Sequence, residues 1–205
     1  MSEGGDASKA PLSDLGRMVA DPGFLAALCH DLRGPLGAIG TWIHILASGR
    51  ADPATHERAF AAMKRDVDAQ SRLVEQLAHL STILRGTLRP CVEELDLLGL
   101  FDELGAEAQA GAAPRVVADR ALLRQLLAIF LPERGSTPSR AALVAENDAG
   151  GALSIRGQAR VGGPGLLGLT LARALAEIQG AELEVAPAAD VTTFTIRLPA
   201  RAHPV

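Results

Sequence analysis

The chain has 205 residues, 48% hydrophobic and 21% charged, with a formal net charge of −4 and six aromatic residues, five Phe and one Trp. That length supports one large domain or two small ones with a real core. The acidic balance and scarce aromatics argue against a nucleic-acid surface, which needs a basic footprint or stacking platforms. No run of 18 uncharged apolar residues occurs, and the start, MSEGGDASKAPLSD, lacks a basic-then-apolar signal pattern. The expectation is a cytoplasmic chain without membrane contact. Cys29 and Cys91 are far apart in apolar surroundings, so two reduced, buried thiols are expected rather than a disulfide or zinc site.

Residues 1–20 are rich in Gly, Ser and Asp and read as a flexible tail. From Asp21 to Ser48, Leu25, Leu28, Leu32, Leu36, Ile39, Ile43 and Leu46 recur at spacings of 3, 4, 4, 3, 4 and 3, one stripe of a long amphipathic helix. Asp21 supplies an N-cap and Pro22 the first helical residue. The segment Ser48-Gly-Arg-Ala-Asp-Pro53 interrupts the pattern, and a second helix runs from about Pro53 to Leu84. Phe60, Met63, Val67, Val74, Leu77 and Leu84 continue the seam, with Gln70 as a polar interruption. Two such helices form an antiparallel hairpin, and pairing two copies into a four-helix bundle buries the seam, so a homodimer is expected.

The remainder mixes short strands with helices. Strands are expected at Val92–Leu97, Arg115–Ala118, Ala141–Glu146, Ala152–Arg156, Glu182–Val185 and Thr192–Leu198. Helices are expected at Leu98–Gln109, from an Asp119 cap through Leu131, and from Gly165 to Gln179, where Gly180 stops the last. Asn147-Asp-Ala-Gly-Gly reads as a hairpin turn. The fold class is α+β, with segments 1–20, 21–88, 89–200 and 201–205 as tail, hairpin, α+β domain and tail, and one sheet carrying three helices.

His30 is the leading candidate for chemistry. At 100° per residue it lies about 200° from Leu28 and so faces water, with Asp31 able to hold one ring nitrogen and leave the other as a nucleophile. Pro35 removes the N–H that would have bonded the Asp31 carbonyl. Gly34, Gly37 and Thr41 fall within about 40° of His30 on the helix wheel. They make a shallow groove for a partner backbone, or alternatively a tight contact within the dimer. Arg33, about 60° round the helix, is positioned for an acidic partner or simply solvated.

His30-Asp-Leu-Arg-Gly-Pro-Leu-Gly-Ala-Ile resembles the phosphoacceptor box of sensor histidine kinases, on the first helix of a hairpin as in that family. Gly165-Leu-Leu-Gly-Leu-Thr-Leu-Ala-Arg, Glu177-Ile-Gln-Gly-Ala-Glu-Leu-Glu-Val and Thr193-Phe-Thr-Ile-Arg-Leu-Pro are similar to the last ATP-binding box and closing strands of the kinase catalytic domain. Asp119–Gln125 with Leu126–Leu131 resembles the helix of its first ATP box. The matches span about 22–199 in order.

The resemblance implies an Asn for magnesium, an Asp-x-Gly turn for adenine and a glycine-rich lid. Ile129 and Glu133 stand at the Asn positions, with Pro132 and Arg134 beside Glu133 disturbing any metal site. Gly157-Gln158-Ala159 stands for Asp-x-Gly, and too few residues separate it from Gly165 to form a lid. Gly165, Leu167 and Gly168 remain as a remnant loop, with Leu166, Leu167 or the Pro164 loop exposed as a second docking surface. An intact phosphoacceptor beside a degenerate ATP-binding domain resembles the histidine phosphotransferases of phosphorelays, the ChpT type among them. This resemblance implies a response-regulator receiver domain as partner, phosphoryl exchange between its aspartate and His30, and magnesium supplied by the receiver, with no cofactor or metal held by this chain. Gly34 replaces the Thr or Asn that positions water in phosphatase-competent kinases. The competing readings are a divergent sensor histidine kinase and a catalytically dead dimeric scaffold.

Overall fold

A computed structural model describes residues 10–110, 115–131, 142–147, 152–158, 164–187 and 192–199. They form two compact units, one running to Gly86 and including Gly165–Leu167, the other made of the remaining residues from Thr87 on.

The first unit is helical: α1 (Ala10–Ala20), α2 (Pro22–Ala47) and α3 (Pro53–Leu84). Each long helix starts on the signal its sequence carries. The Asp21 carboxylate accepts from the Gly23 N–H at 2.6 Å, and the Asp52 carboxylate from the Thr55 N–H at 2.7 Å, with Pro22 and Pro53 following. The chain leaves α2 through Gly49 and α3 through Gly86, at φ +68° and +64°, values that an L side chain adopts only with strain.

Ala10–Ala20 is a helix rather than the tail its composition suggests. Leu15, Met18 and Val19 stand at i, i+3 and i+4, with Leu15 buried and the other two half-buried, and α1 packs on both α2 and α3. That apolar triplet outweighs the Gly/Ser content that precedes it.

The expected apolar stripe splits in two. On α3, Ala59, Ala62, Leu80 and Ile83 are buried, while Phe60, Val67 and Val74, seven residues apart, are exposed. On α2, Leu28, Leu32, Ile39 and Leu46 are half-buried, and Leu25, Leu36 and Ile43 are exposed. One hairpin therefore buries only part of its seam. Cys29 lies on the same seven-residue line as Leu36 and Ile43 and is exposed, as is Cys91, so neither thiol is buried as expected. The apolar neighbours of Cys29 belong to this outer seam, not to an interior.

The second unit contains β1 (Val92–Asp96), α4 (Leu97–Leu104), β2 (Glu107–Ala110), β3 (Arg115–Asp119), α5 (Arg120–Phe130), β4 (Ala142–Asn147), β5 (Leu153–Gln158), α6 (Leu166–Ile178), β6 (Glu182–Pro187) and β7 (Thr192–Leu198). In place of one sheet there are two, an antiparallel β1–β3 ribbon and a five-stranded sheet in the order β2-β4-β5-β7-β6. Only the β2–β4 pair of the larger sheet is parallel. The helix expected over Leu98–Gln109 ends at Leu104, and Glu107–Ala110 is strand. Gly105, at φ +70°, ends α4 with bonds from its own N–H to the Asp102 carbonyl and from the Ala106 N–H to the Phe101 carbonyl. The Asn147 turn lies mostly outside the described residues.

Asp119 ties the ribbon to α5. Its nearly buried carboxylate accepts from the Leu122 N–H at 2.9 Å and the Cys91 N–H at 2.7 Å, capping the helix and anchoring the chain ahead of β1. Alternation along β5 and β7 sends Leu153, Ile155, Phe194, Ile196 and Leu198 to the core face. The opposite face is charged: Arg197 pairs with Glu184 at 2.7 Å, and Arg156 pairs with Glu146.

Candidate functional site

His30 stands in the third turn of α2, in a helix that continues unbroken through Pro35. Its side chain is 88% exposed, with Nδ1 3.6 Å from Oδ1 of the one-third-exposed Asp31. That separation is too long for a hydrogen bond.

The groove residues fall where helix arithmetic puts them. Gly34, Gly37 and Thr41 are exposed, as is Arg33, and a Cβ built on Gly34 or Gly37 meets nothing within 4 Å. The Thr41 hydroxyl donates to the Gly37 carbonyl at 2.9 Å, so its polarity is turned onto its own helix. The arrangement is a nucleophilic imidazole on a rigid helix, flanked on one side by backbone with almost no side-chain cover. Such a surface can accept a group carried by another protein that comes close.

The residues compared above with nucleotide contacts offer a different surface. Gly157, on β5, lies in register with Leu143 of β4 and Phe194 of β7. A Cβ on Gly157 would stand 2.6 Å from the Leu143 side chain and 2.7 and 2.9 Å from the Phe194 ring. Phe194 in turn stacks on Phe130 of α5, with centroids 4.4 Å apart. Ile129, beside Phe130, is buried and has no oxygen to offer a metal. Neither Gly157 nor Ile129 therefore fits the carboxylate and amide contacts that a nucleotide and its magnesium require. Glu133 and Ala159 lie outside the described residues.

The remnant loop also differs from expectation. Gly165 and Leu166 are exposed, but Pro164, Leu167 and Gly168 are buried. Leu167, expected to be exposed, is buried, and it stands in line with the buried Leu171, Ala174 and Leu175 of α6.

The hairpin that carries the exposed histidine is the part of the chain that a family model matches. Residues 23–86 match the His Kinase A (phospho-acceptor) domain family. No curated protein matches the sequence. Among solved structures, the chain resembles the Acinetobacter baumannii histidine kinase AdeS at TM-score 0.59 and 18% identity, over 84% of this chain and 98% of that one. It resembles histidine kinase ThkA, solved in complex with response regulator protein TrrA, at TM-score 0.61 and 16% identity, over 93% of this chain and 64% of that one. Full-length ShkA, solved in complex with AMPPNP, matches at TM-score 0.51 and 18% identity, over 90% of this chain but 47% of that one. At these identities the structural likenesses speak for the fold: a phosphoacceptor-type hairpin followed by a domain resembling the kinase ATPase. No helix among the described residues is long and apolar enough to cross a membrane.

Proposed function

We propose that the protein is a homodimeric histidine phosphotransferase that exchanges a phosphoryl group between His30 and the aspartate of a response-regulator receiver domain. The observation that favours a carrier over an ATP-dependent kinase is the packing of Leu143 and Phe194 directly over Gly157, where a nucleotide-binding carboxylate would have to stand.

In the forward step the Nε2 lone pair of neutral His30 attacks the phosphorus of the receiver's aspartyl phosphate in line. The N–P bond forms as the P–O bond to the carboxylate breaks, and the aspartate leaves with the electron pair. The proton on Nδ1 faces Asp31, whose charge offsets the positive charge that develops on the ring. The receiver supplies magnesium and the cation that stabilises the transferring group. Gly34 and Gly37 let the receiver approach, and Arg33 meets its acidic face. With Gly34 four residues after the acceptor, no side chain there positions a hydrolytic water, which suits a carrier that retains its phosphoryl group.

The exposed line of Leu25, Leu36, Ile43, Phe60, Val67 and Val74 supports the dimer. Burying each such side chain stabilises by about 1.5–3 kcal/mol, and a seven-residue repeat is the spacing at which paired helices interlock. The cytoplasm is the compartment in which receiver domains would be met.

The deciding experiment incubates wild-type protein and His30→Gln with labelled ATP and magnesium, then with a phosphorylated receiver. Label on wild type from the receiver alone, absent from His30→Gln, is the expected result. Label from ATP alone would make the protein a divergent kinase. Receiver binding without label in either arm would make it a scaffold.

A further inference from the structure

Gln70 interrupts the apolar seam of α3 midway between Met63 and Leu77, seven residues from each, and all three are half-buried. A Leu or Met there would bury more apolar surface and lose no polar solvation, so the amide is not placed for stability alone. It is the side-chain nitrogen that meets the Leu32 carbonyl of α2. Because a backbone carbonyl can only accept, the amide orientation is fixed by chemistry.

The place of that bond carries the inference. Leu32 is two residues beyond His30, and Pro35 leaves the Asp31 carbonyl, the preceding acceptor, without its usual helical donor. The segment bearing the histidine thus lacks one helical hydrogen bond, and the Gln70 amide of α3 reaches across to the next carbonyl along.

We propose that Gln70 is a positioning residue for phosphoryl transfer, fixing the rotation of α2 about its axis so that Nε2 of His30 meets an incoming phosphorus in line. This rests on the carrier reading above. At a side-chain radius of about 5–6 Å, a helix rotation of about 10° moves the imidazole by about 1 Å. A misplacement of about 1 Å is enough to slow a positioned reaction by about a hundredfold. A single bond between helices, two residues from the nucleophile, controls that rotation more directly than apolar contacts, which tolerate sliding.

The test compares Gln70→Met, similar in shape without a donor, with Gln70→Lys, which restores an N–H donor of similar reach. Single-turnover transfer from a phosphorylated receiver, across receiver concentrations, should fall about tenfold to a hundredfold in Gln70→Met at saturation. Its half-saturating receiver concentration should stay within about twofold and its melting temperature equal or exceed wild type. Reactivity of His30 toward diethyl pyrocarbonate should be unchanged, since the imidazole stays exposed. Gln70→Lys should recover most of the rate. A Gln70→Met protein that transfers at the wild-type rate, or slows only as its helicity falls, or is not rescued by Lys, overturns the positioning role. Failure of wild-type His30 to take label from any phosphorylated receiver overturns the carrier reading instead, a result visible before any variant is made.

Discussion

His30 and Asp31, adjacent on α2, hold Nδ1 and Oδ1 3.6 Å apart with the ring almost wholly in solvent. A solvent-screened carboxylate at this distance contributes little, so its share in transfer is modest. Replacing Asp31 with Asn should slow receiver-to-His30 transfer by no more than about fivefold, while His30→Gln abolishes it. Single-turnover labelling measures both. A loss beyond a hundredfold in Asp31→Asn would mean that the carboxylate itself takes the proton.

Placing a carboxylate at position 157 should not confer nucleotide binding. In Gly157→Asp the new side chain collides with Leu143 and the Phe194 ring, and overpacking of this kind costs about 1–3 kcal/mol before any penalty for burying the charge. A lower melting temperature and no binding of a fluorescent ATP analogue are expected. A variant that melts like wild type and binds the analogue would show that the aromatic stack yields.

Gly37→Leu separates docking from folding. Since a Cβ there meets nothing within the protomer, and Gly inside a helix costs about 0.5–1 kcal/mol relative to Ala, helicity and melting temperature should hold or rise. The receiver concentration for half-maximal transfer should climb at least about tenfold, because a bulky side chain keeps the partner's backbone away from the groove. A fall in sedimentation coefficient instead would assign Gly37 to the dimer contact.

The outer seam makes a prediction about assembly. Val67→Glu and Val74→Glu place charges at exposed positions of the single hairpin, so they should leave helicity nearly intact while shifting sedimentation from dimer to monomer. Cys29, on the same seam, should then alkylate faster in the variants than in wild type, with Cys91 as the internal control.

The loop between α2 and α3 should respond to acid. Hydrogen bonding from Thr55 holds the Asp52 carboxyl below its ordinary value of 3.8, helped by Arg58 and His56. A depressed carboxylate pKa contributes stability that is present above the unfolded value and lost as pH falls through the folded one. The Thr55 amide resonance should therefore titrate with a midpoint below 3.8, and fraying of the α3 N-terminus should begin there. A midpoint above 3.8 would contradict the cap.

Much of this was legible because it is local. Asp21-Pro22 and Asp119 announce helix starts by their own chemistry, and the helix wheel places His30, Gly34 and Gly37 on a solvent face without any knowledge of the fold. What escaped depends on partners distant in sequence. Glu107–Ala110 has no β-branched residue and becomes strand only by pairing with β4. The burial of Leu167 depends on which way α6 turns its apolar face. Cys29 reads as buried until the hairpin shows that one protomer leaves this line uncovered. The sequence registers the missing carboxylate at Gly157, but the register with Leu143 and Phe194 supplies the physical reason.

That register also makes position 157 one that cannot change alone. With Leu143 and the Phe130–Phe194 stack packed against a residue without a side chain, any larger residue there requires its neighbours to shrink, and each of those steps hollows the core. Such packing works as a ratchet: a side chain at this place needs several coordinated changes, whereas the exposed neighbour Gln158 can vary singly.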